Sequence, residues 1–241
     1  MSRLIVFLDV GGVINEKYQQ TGEFECLVGD FFASLSGGTS QAWAIAHSVV
    51  TDRLLSQESV SVQTAPDYMS FYWTYQLNWV RGMYGLLNVP VPPEEECIDL
   101  AYRAIAWIAQ RTQAVLPSAV ETIRALHEQD YRLHTASGAC SIEIAGYLEG
   151  MQVRHCFGRL YGADLINTFK GGPEYYARIF ADVGILPAEA LVVDDSLSAI
   201  AWAAQAGAKT VLVNASSHPE KGAMPRIGSL AELPAFLQQQ G

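Results

Sequence analysis

The run of five apolar residues from Leu4 to Leu8 ends at the carboxylate of Asp9, and the glycine pair Gly11-Gly12 follows shortly after. Five consecutive apolar residues are typical of a parallel strand that is buried on both faces of a sheet. Ligands of open α/β sheets bind at the carboxyl ends of the strands. The pattern therefore predicts that a central strand presents Asp9 at a functional site, although Asp9 taken alone is better explained as the cap of a loop.

Strands and helices alternate from about residue 115 onward, which is the pattern of a parallel sheet with crossover helices. Residues 16–114 instead contain long helical patterns punctuated by glycine and proline. We therefore expect an α/β protein, with a Rossmann-like parallel-sheet core (residues 1–15 and 115–241) and an inserted all-helical cap (residues 16–114). The later strands are predicted at Tyr131–Ala136, Arg159–Gly162, Ala190–Val193 and Lys209–Val213, and the cap helices at Ser40–Gln57, Pro66–Leu87 and Pro93–Arg111.

Composition and charge argue against several classes of binding partner. The net charge is −10, with only 15 basic residues and no basic run, which argues against nucleic acid as a partner. No stretch approaches the roughly 18 apolar residues of a membrane span, and the run before Asp9 is too short for a signal peptide. The cysteines, at 26, 97, 140 and 156, lack metal-binding spacing and are predicted to be reduced, mostly buried thiols. We expect a cytoplasmic protein without nucleic-acid or membrane partners.

Further polar residues stand at or between the predicted strand ends. Thr135 ends the second strand, Lys170 lies in the loop before a helix, and Asp194 and Asp195 end the fourth strand. If these side chains converge with Asp9 at one sheet edge, three acids repel one another unless a cation neutralises them. Mg²⁺ prefers oxygen ligands and bridges carboxylates to a substrate phosphate. Such a site suits phosphoryl transfer through an aspartyl-phosphate.

The set and order of these residues resemble the haloacid dehalogenase superfamily, in particular its phosphatase-like branch with a helical (C1-type) cap after the first motif. The resemblance covers nearly the whole chain. It implies that Asp9 is the catalytic nucleophile and that Thr135 and Lys170 are also catalytic. It further implies that Thr135, Ala136 and Lys170 bind the phosphoryl group of a small phosphorylated substrate.

The same resemblance implies an Mg²⁺ cofactor. Its ligands would be Asp9, the backbone carbonyl of Gly11, and the carboxylates of Asp194 and Asp195. The departure from the family pattern is Gly11, because most phosphatases of the family carry there a second Asp that protonates the leaving group. Loss of such general acid–base help costs roughly 10²- to 10⁴-fold in rate.

Gly11 leaves several functions open. The chain is a phosphatase for esters such as sugar phosphates, with a good leaving group or another acid, or a dehalogenase or phosphonate hydrolase, or a binding protein that has lost activity. Dehalogenation needs no Mg²⁺, so the pair Asp194-Asp195 argues against it. Phosphonate-cleaving relatives use a cap lysine, and Lys17 alone lies in the cap region. An Mg²⁺-dependent phosphatase is therefore the prediction.

Two further features concern packing. Aromatic residues recur along 66–87, and because a small helical module needs large side chains for its core, we favour packing over a substrate wall or a homodimer face. His134, inside the second strand, is predicted to be buried and hydrogen-bonded rather than catalytic. The aromatic residues in question are Tyr68, Phe71, Tyr72, Trp73, Tyr75, Trp79 and Tyr84.

Overall fold

The computed structural model describes residues 4–213 and 224–239, apart from the side chains of 17–22 and 57–64. Within this part of the chain six strands form one sheet, in which every neighbouring pair is parallel. The strands are β1 (Ile5–Leu8), β2 (Leu133–Ala136), β3 (Phe157–Tyr161), β4 (Ala190–Asp194), β5 (Lys209–Val213) and β6 (Arg226–Ile227). Their order across the sheet is β3-β2-β1-β4-β5-β6, and it confirms the predicted Rossmann-like α/β core.

The first strand lies at the centre of the sheet. Every residue of β1 is buried, as its unbroken apolar sequence predicts, because β2 and β4 pair with its two edges. The chain continues from β1 towards β2 on one side and reaches β4 on the other, so the strand order reverses here. Crevices at such reversals are where open α/β sheets bind ligands. The fold therefore presents Asp9 at the expected position.

Nine α-helices surround or extend the sheet among the described residues. Five of them lie between β1 and β2, and the first four of these are consistent with an inserted helical cap. The first four are α1 (Lys17–Ser36), α2 (Ser40–Thr64), α3 (Tyr68–Leu86) and α4 (Glu94–Ala109); the others are α5 (Ala119–Glu128), α6 (Ser141–Gly150), α7 (Pro173–Val183), α8 (Leu197–Gln205) and α9 (Leu233–Gln238). Of the four, α1 was not predicted from the sequence.

Aromatic residues form much of the core among α1 to α4. The ring of Trp43 stacks on Phe32 at 5.3 Å and meets Tyr84 edge-on at 4.9 Å, and Trp79 also contacts Phe32 edge-on. In the aromatic pattern of α3, four rings are buried, which agrees with the packing interpretation, whereas Trp73 is 38% exposed. The four buried rings are Tyr68, Tyr72, Trp79 and Tyr84.

The chain crosses between the sheet and α1–α4 twice, and the two crossings lie side by side. Asn15 pairs with Val115 in an antiparallel bridge. Further along, α4 packs on α6 so closely that a Cβ added at Gly146 would lie 2.6 Å from the Cβ of Ala109. The end of α4 is therefore held against the sheet side of the molecule.

The structure describes the state of the cysteines and shows whether any described helix could span a membrane. All four cysteines are free thiols, and only Cys26 is exposed. No helix in the described part of the chain is both long enough and apolar enough to cross a bilayer.

Candidate active site

Three carboxylates meet at the carboxyl ends of the two central strands. Asp9 follows β1 and extends its pairing, because its backbone N–H donates to the carbonyl of Val193 at 2.9 Å. Asp194 is the last residue of β4 and is fully buried, and Asp195 is the next residue. Each of the three acids offers an oxygen within 4.8 Å of the others. The predicted convergence of Asp9, Asp194 and Asp195 is thus present in the structure.

Lys170 supplies a positive charge between two of these acids. Its Nζ lies 2.7 Å from Oδ2 of Asp194 and 3.0 Å from Oδ1 of Asp9. The side chain is only 11% exposed. Burial opposes its charge, but the carboxylates of Asp9 and Asp194 outweigh burial and raise the pKa of Lys170, so the ammonium stays protonated. Lys170 therefore links the ends of β1 and β4.

The turn after Asp9 is shaped around Asp195. Gly12 has a φ of 84°, in the left-handed region that favours glycine, and a Cβ at this position would overlap the carboxylate of Asp195. On the other side, Oδ1 of Asp194 accepts a hydrogen bond from the N–H of Ser196 at 2.8 Å. The Ser196 side chain in turn caps α8, whose positive N-terminal end lies near the acids.

The electrostatic balance of this cluster favours a further cation. Burial raises the pKa of Asp194 to about 6, and the carboxylate of Asp9 raises it too, although the Lys170 ammonium and the Ser196 N–H lower it. Oxygen ligands of an octahedral Mg²⁺ lie about 3–4 Å from one another. One oxygen from each of the three acids lies within 4.8 Å of the others, which is close to that spacing. The donor set is therefore chemically suited to a hard divalent ion.

A comparison with protein families identifies the family to which the chain belongs. The model of the haloacid dehalogenase-like hydrolases matches residues 6–207, which include all four residues of the cluster. The chain belongs to this family of hydrolases. No curated protein matches the sequence.

Solved structures of the same fold include members with different activities. A 2-haloacid dehalogenase from Pseudomonas syringae pv. Tomato DC3000 is 16% identical, with a TM-score of 0.68 over 100% of both chains. A putative HAD-hydrolase from Bacillus subtilis, solved bound to magnesium, is 16% identical, with a TM-score of 0.62 over 98% of this chain and 99% of its own. A HAD phosphatase from Thermococcus onnurineus is 20% identical, with a TM-score of 0.57 over 97% of each chain. At these identities the likeness establishes the fold alone.

Two of the three phosphate-binding residues that the family resemblance implies, Thr135 and Ala136, lie on β2, whereas Lys170 lies in the loop before α7. The register pairs Leu8 with Thr135, so Ala136 lies level with Asp9. The Thr135 hydroxyl donates to the carbonyl of Tyr161 at 3.3 Å, which is a long hydrogen bond. To bind a phosphoryl oxygen the hydroxyl would have to exchange that bond. The phosphate-binding roles of Thr135 and Ala136 stay predictions.

Residue 11 of this family member contributes only its backbone. Gly11 pairs with Asn15 in a short parallel bridge, which uses the carbonyl of Val10 and the N–H of Gly12. The carbonyl of Gly11 consequently points away from Asn15, an orientation compatible with the predicted metal-ligand role.

The first turn of α3 packs on the loop that carries Lys170. The rings of Tyr68 and Phe71 contact Phe169, the residue before Lys170, at 5.1 and 5.4 Å. The backbone N–H of Met69 donates to the side chain of Asn167 at 2.8 Å. These aromatic residues therefore support a loop of the site. The Lys17 side chain lies outside the described residues.

A cavity of about 590 Å³ is lined by Asp195, the last of the three acids along the chain, and by Gly12. It extends from this turn to Leu116 in the second crossing and to Ser229 after β6. Its volume is in the range of small-molecule sites.

His134 is structural, as the sequence indicates. It is 6% exposed, and its Nδ1 accepts a hydrogen bond from the N–H of Arg159 at 3.0 Å. Its ring stacks on Phe7 at 5.3 Å. Burial lowers the pKa of His134 to about 4, which keeps the imidazole neutral.

One polar group beside the cluster was missed from the sequence. Tyr176 fits the apolar spacing of α7 with Ile179 and Phe180 and so resembles a core residue. Its buried hydroxyl nevertheless interacts electrostatically with the charged groups of the cluster. No feature of the sequence separates Tyr176 from an ordinary core residue of α7.

Proposed function

We propose that the protein is an Mg²⁺-dependent phosphatase that hydrolyses a small phosphate monoester through an aspartyl-phosphate at Asp9. The observation that carries the proposal is the cluster of three carboxylates, two of which, Asp9 and Asp194, contact the ammonium of Lys170. A carboxylate that only displaces a halide has no need of two further acids beside it. Those acids are useful when a divalent ion and an anionic phosphoryl group are bound together.

Each residue then has a defined role. A carboxylate oxygen of Asp9 attacks phosphorus and the ester oxygen departs; water later attacks the phosphoryl group, which releases phosphate and restores the carboxylate. Lys170 orients the Asp9 carboxylate through their 3.0 Å contact and lies within reach of the transferred oxygens. Asp9, Asp194, Asp195 and the Gly11 carbonyl hold Mg²⁺. Bound Mg²⁺ supplies charge neutralisation at the phosphoryl oxygens.

The phosphoryl group also needs donors on the β2 side. We assign these to the Thr135 hydroxyl and the backbone N–H of Ala136, because Ala136 lies level with Asp9. The organic part of the substrate has room in the 590 Å³ cavity beside Asp195. The first turn of α3 contacts Phe169 beside Lys170, and we propose that residues 16–114 exclude bulk water from this side of the site.

Gly11 limits the substrates that suit this site. Without a carboxylate at residue 11, the departing oxygen lacks the acid that most phosphatases of the family use, a loss of about 3–5 kcal/mol in barrier. We therefore propose that the substrates are esters with a good leaving group. The same glycine favours a second candidate, dehalogenation of a small haloacid, because a halide departs without a proton.

The decisive experiment measures phosphate release from a panel of phosphomonoesters with Mg²⁺, with EDTA, and with Asp9→Asn. We expect release that EDTA and Asp9→Asn both abolish. Halide release from 2-chloropropionate that persists in EDTA would establish the dehalogenase instead. If no ester gives release above the Asp9→Asn background, the chain is a binding protein. A cytoplasmic location stays a prediction, and a homodimer stays an alternative to the packing interpretation of the aromatic residues.

A further inference from the structure

Tyr176 carries a buried hydroxyl that no other described residue satisfies. The side chain is fully buried on α7, and its hydroxyl oxygen has no hydrogen-bond partner in the described part of the chain. An unpaired buried hydroxyl destabilises a folded protein, and such groups are rare in native structures. A cost of this kind is retained where a ligand completes the hydrogen bond.

The adjacent Tyr175 provides an internal comparison. It is equally buried, and its ring meets that of Tyr176 edge-on at 5.1 Å. Its hydroxyl, however, donates to the carbonyl of Ser137 at 2.8 Å and lies 3.3 Å from that of Tyr161. The Tyr175 hydroxyl therefore holds the loop after β2 in place. Burial alone does not explain the lack of a partner at Tyr176.

The hydroxyl of Tyr176 lies among the charges of the proposed site. Burial raises its pKa, the nearby carboxylates of Asp194 and Asp9 raise it further, and the ammonium of Lys170 lowers it. A tyrosine hydroxyl is protonated near neutral pH and can donate a hydrogen bond. Its ring is held by Tyr175 and by Phe180, whose ring lies at 6.5 Å, so the hydroxyl has a defined direction.

The charged groups near the Tyr176 hydroxyl indicate what kind of ligand atom would accept its hydrogen bond. A neutral hydroxyl next to a nucleophilic carboxylate and a lysine ammonium is matched by an anionic oxygen that binds between them. We infer that Tyr176 is a substrate-binding residue whose hydroxyl donates a hydrogen bond to an oxygen of the phosphoryl group transferred to Asp9. This inference rests on the proposed phosphatase function, and it adds a tyrosine to the groups that hold the phosphoryl oxygens.

The test compares Tyr176→Phe with Tyr175→Phe in the full-length protein. Each substitution removes one hydroxyl and keeps the ring. Three quantities are measured with Mg²⁺ present: the melting temperature, the affinity for inorganic phosphate by calorimetry, and kcat and KM on the best phosphomonoester of the panel.

Different results are expected for the two variants. Tyr176→Phe keeps or raises the melting temperature, because an unpaired hydroxyl is removed, while its phosphate affinity and kcat/KM fall roughly 10- to 100-fold. Added phosphate then stabilises Tyr176→Phe less than the wild type. Tyr175→Phe lowers the melting temperature, because the Ser137 carbonyl loses its donor.

Other results overturn the inference in distinguishable ways. If the wild type hydrolyses phosphomonoesters and Tyr176→Phe matches it in phosphate affinity and kcat/KM, only the role of Tyr176 is wrong. The same holds if Tyr176→Phe is less stable but binds phosphate normally, since its role is then structural. A wild type that neither binds phosphate nor hydrolyses any ester overturns both this inference and the proposed function.

Discussion

The ammonium nitrogen of Lys170 lies 2.7 Å from Oδ2 of the Asp194 carboxylate, and both side chains are nearly excluded from solvent. Removing one member of a buried ion pair leaves the other charge without compensation. At this site the loss is compounded, because the same ammonium also contacts Asp9. The stability of the fold and the proposed chemistry therefore depend on one lysine.

Lys170→Met should lower the free energy of unfolding by about 3–5 kcal/mol, because Asp9 and Asp194 then repel each other in a buried site. Mg²⁺ should restore part of this loss, because an ion that binds only the folded state stabilises it. Urea denaturation with and without Mg²⁺ measures both effects. Arg103→Met is the control, because Arg103 pairs with Asp99 on an exposed helix face and its removal should cost less than about 1 kcal/mol. Equal stability of Lys170→Met and wild type would contradict the role of the ion pair.

Gly12→Ala should disable the metal site. The added Cβ overlaps the carboxylate of Asp195, so that ligand is displaced, and we expect at least a roughly 100-fold loss of kcat/KM and weaker Mg²⁺ binding. Gly37 is the matched control, because it also has a positive φ, 77°, but nothing within 4 Å of an added Cβ. Both variants should lose about 1–3 kcal/mol of stability from backbone strain. Only Gly12→Ala should lose Mg²⁺ affinity in calorimetry, and normal binding by this variant would show that Asp195 is not a ligand.

The sequence was sufficient to predict five of the six strands and the acids because each of these signals is local, whereas the two-residue strand β6 was not predicted. Asp9 and Asp194 each end an apolar run, and parallel strands bring their carboxyl ends to one edge whatever the loops do. The contacts of Lys170 could not be predicted in this way. Its distance from Asp194 depends on how the loop after β3 packs, including the contact of Phe169 with Tyr68. For the same reason the sequence did not separate Tyr175 from Tyr176.

Helix α1 was missed although its spacing carries a helical signal. Phe24, Leu27, Val28, Phe31 and Phe32 repeat at intervals of three and four, and three of them are buried. The start of α1 lacks the usual markers, since its N-terminal cap makes no side-chain hydrogen bond and its first turn has no acid. A glycine inside the helix, Gly29, also weakens the pattern. That glycine is required by packing, because an added Cβ would overlap the carbonyl of Ser40.

Gly146→Ala should loosen the attachment of α4 to α6. The new methyl group would lie 2.6 Å from the Cβ of Ala109, and such overpacking costs about 1–3 kcal/mol. Gly85→Ala provides a helical glycine in open space, where the same change should raise stability by up to about 1 kcal/mol. Chemical denaturation of the two variants should therefore give shifts of opposite sign. A gain in stability for Gly146→Ala would show that α4 and α6 separate readily.

His134 should make the fold sensitive to acid. Its pKa in the folded protein is lowered to about 4, because burial disfavours the imidazolium, whereas an unfolded chain has the ordinary value of 6.5. Between these values the unfolded state binds a proton that the folded state does not, so stability falls as the pH falls from about 6.5 to about 4. A difference of this size corresponds to about 3 kcal/mol.

His134→Gln removes this proton uptake while an amide oxygen can still accept from the Arg159 N–H. The unfolding free energies of wild type and His134→Gln at about pH 7 and about pH 4.5 should differ in their pH dependence, with the variant losing about 2–2.5 kcal/mol less on acidification. His127→Gln, a change at an exposed histidine, should follow the wild type. If His134→Gln lost as much stability in acid as the wild type, the imidazole would have to be protonated inside the fold, and the 3.0 Å hydrogen bond to its Nδ1 would be absent in solution.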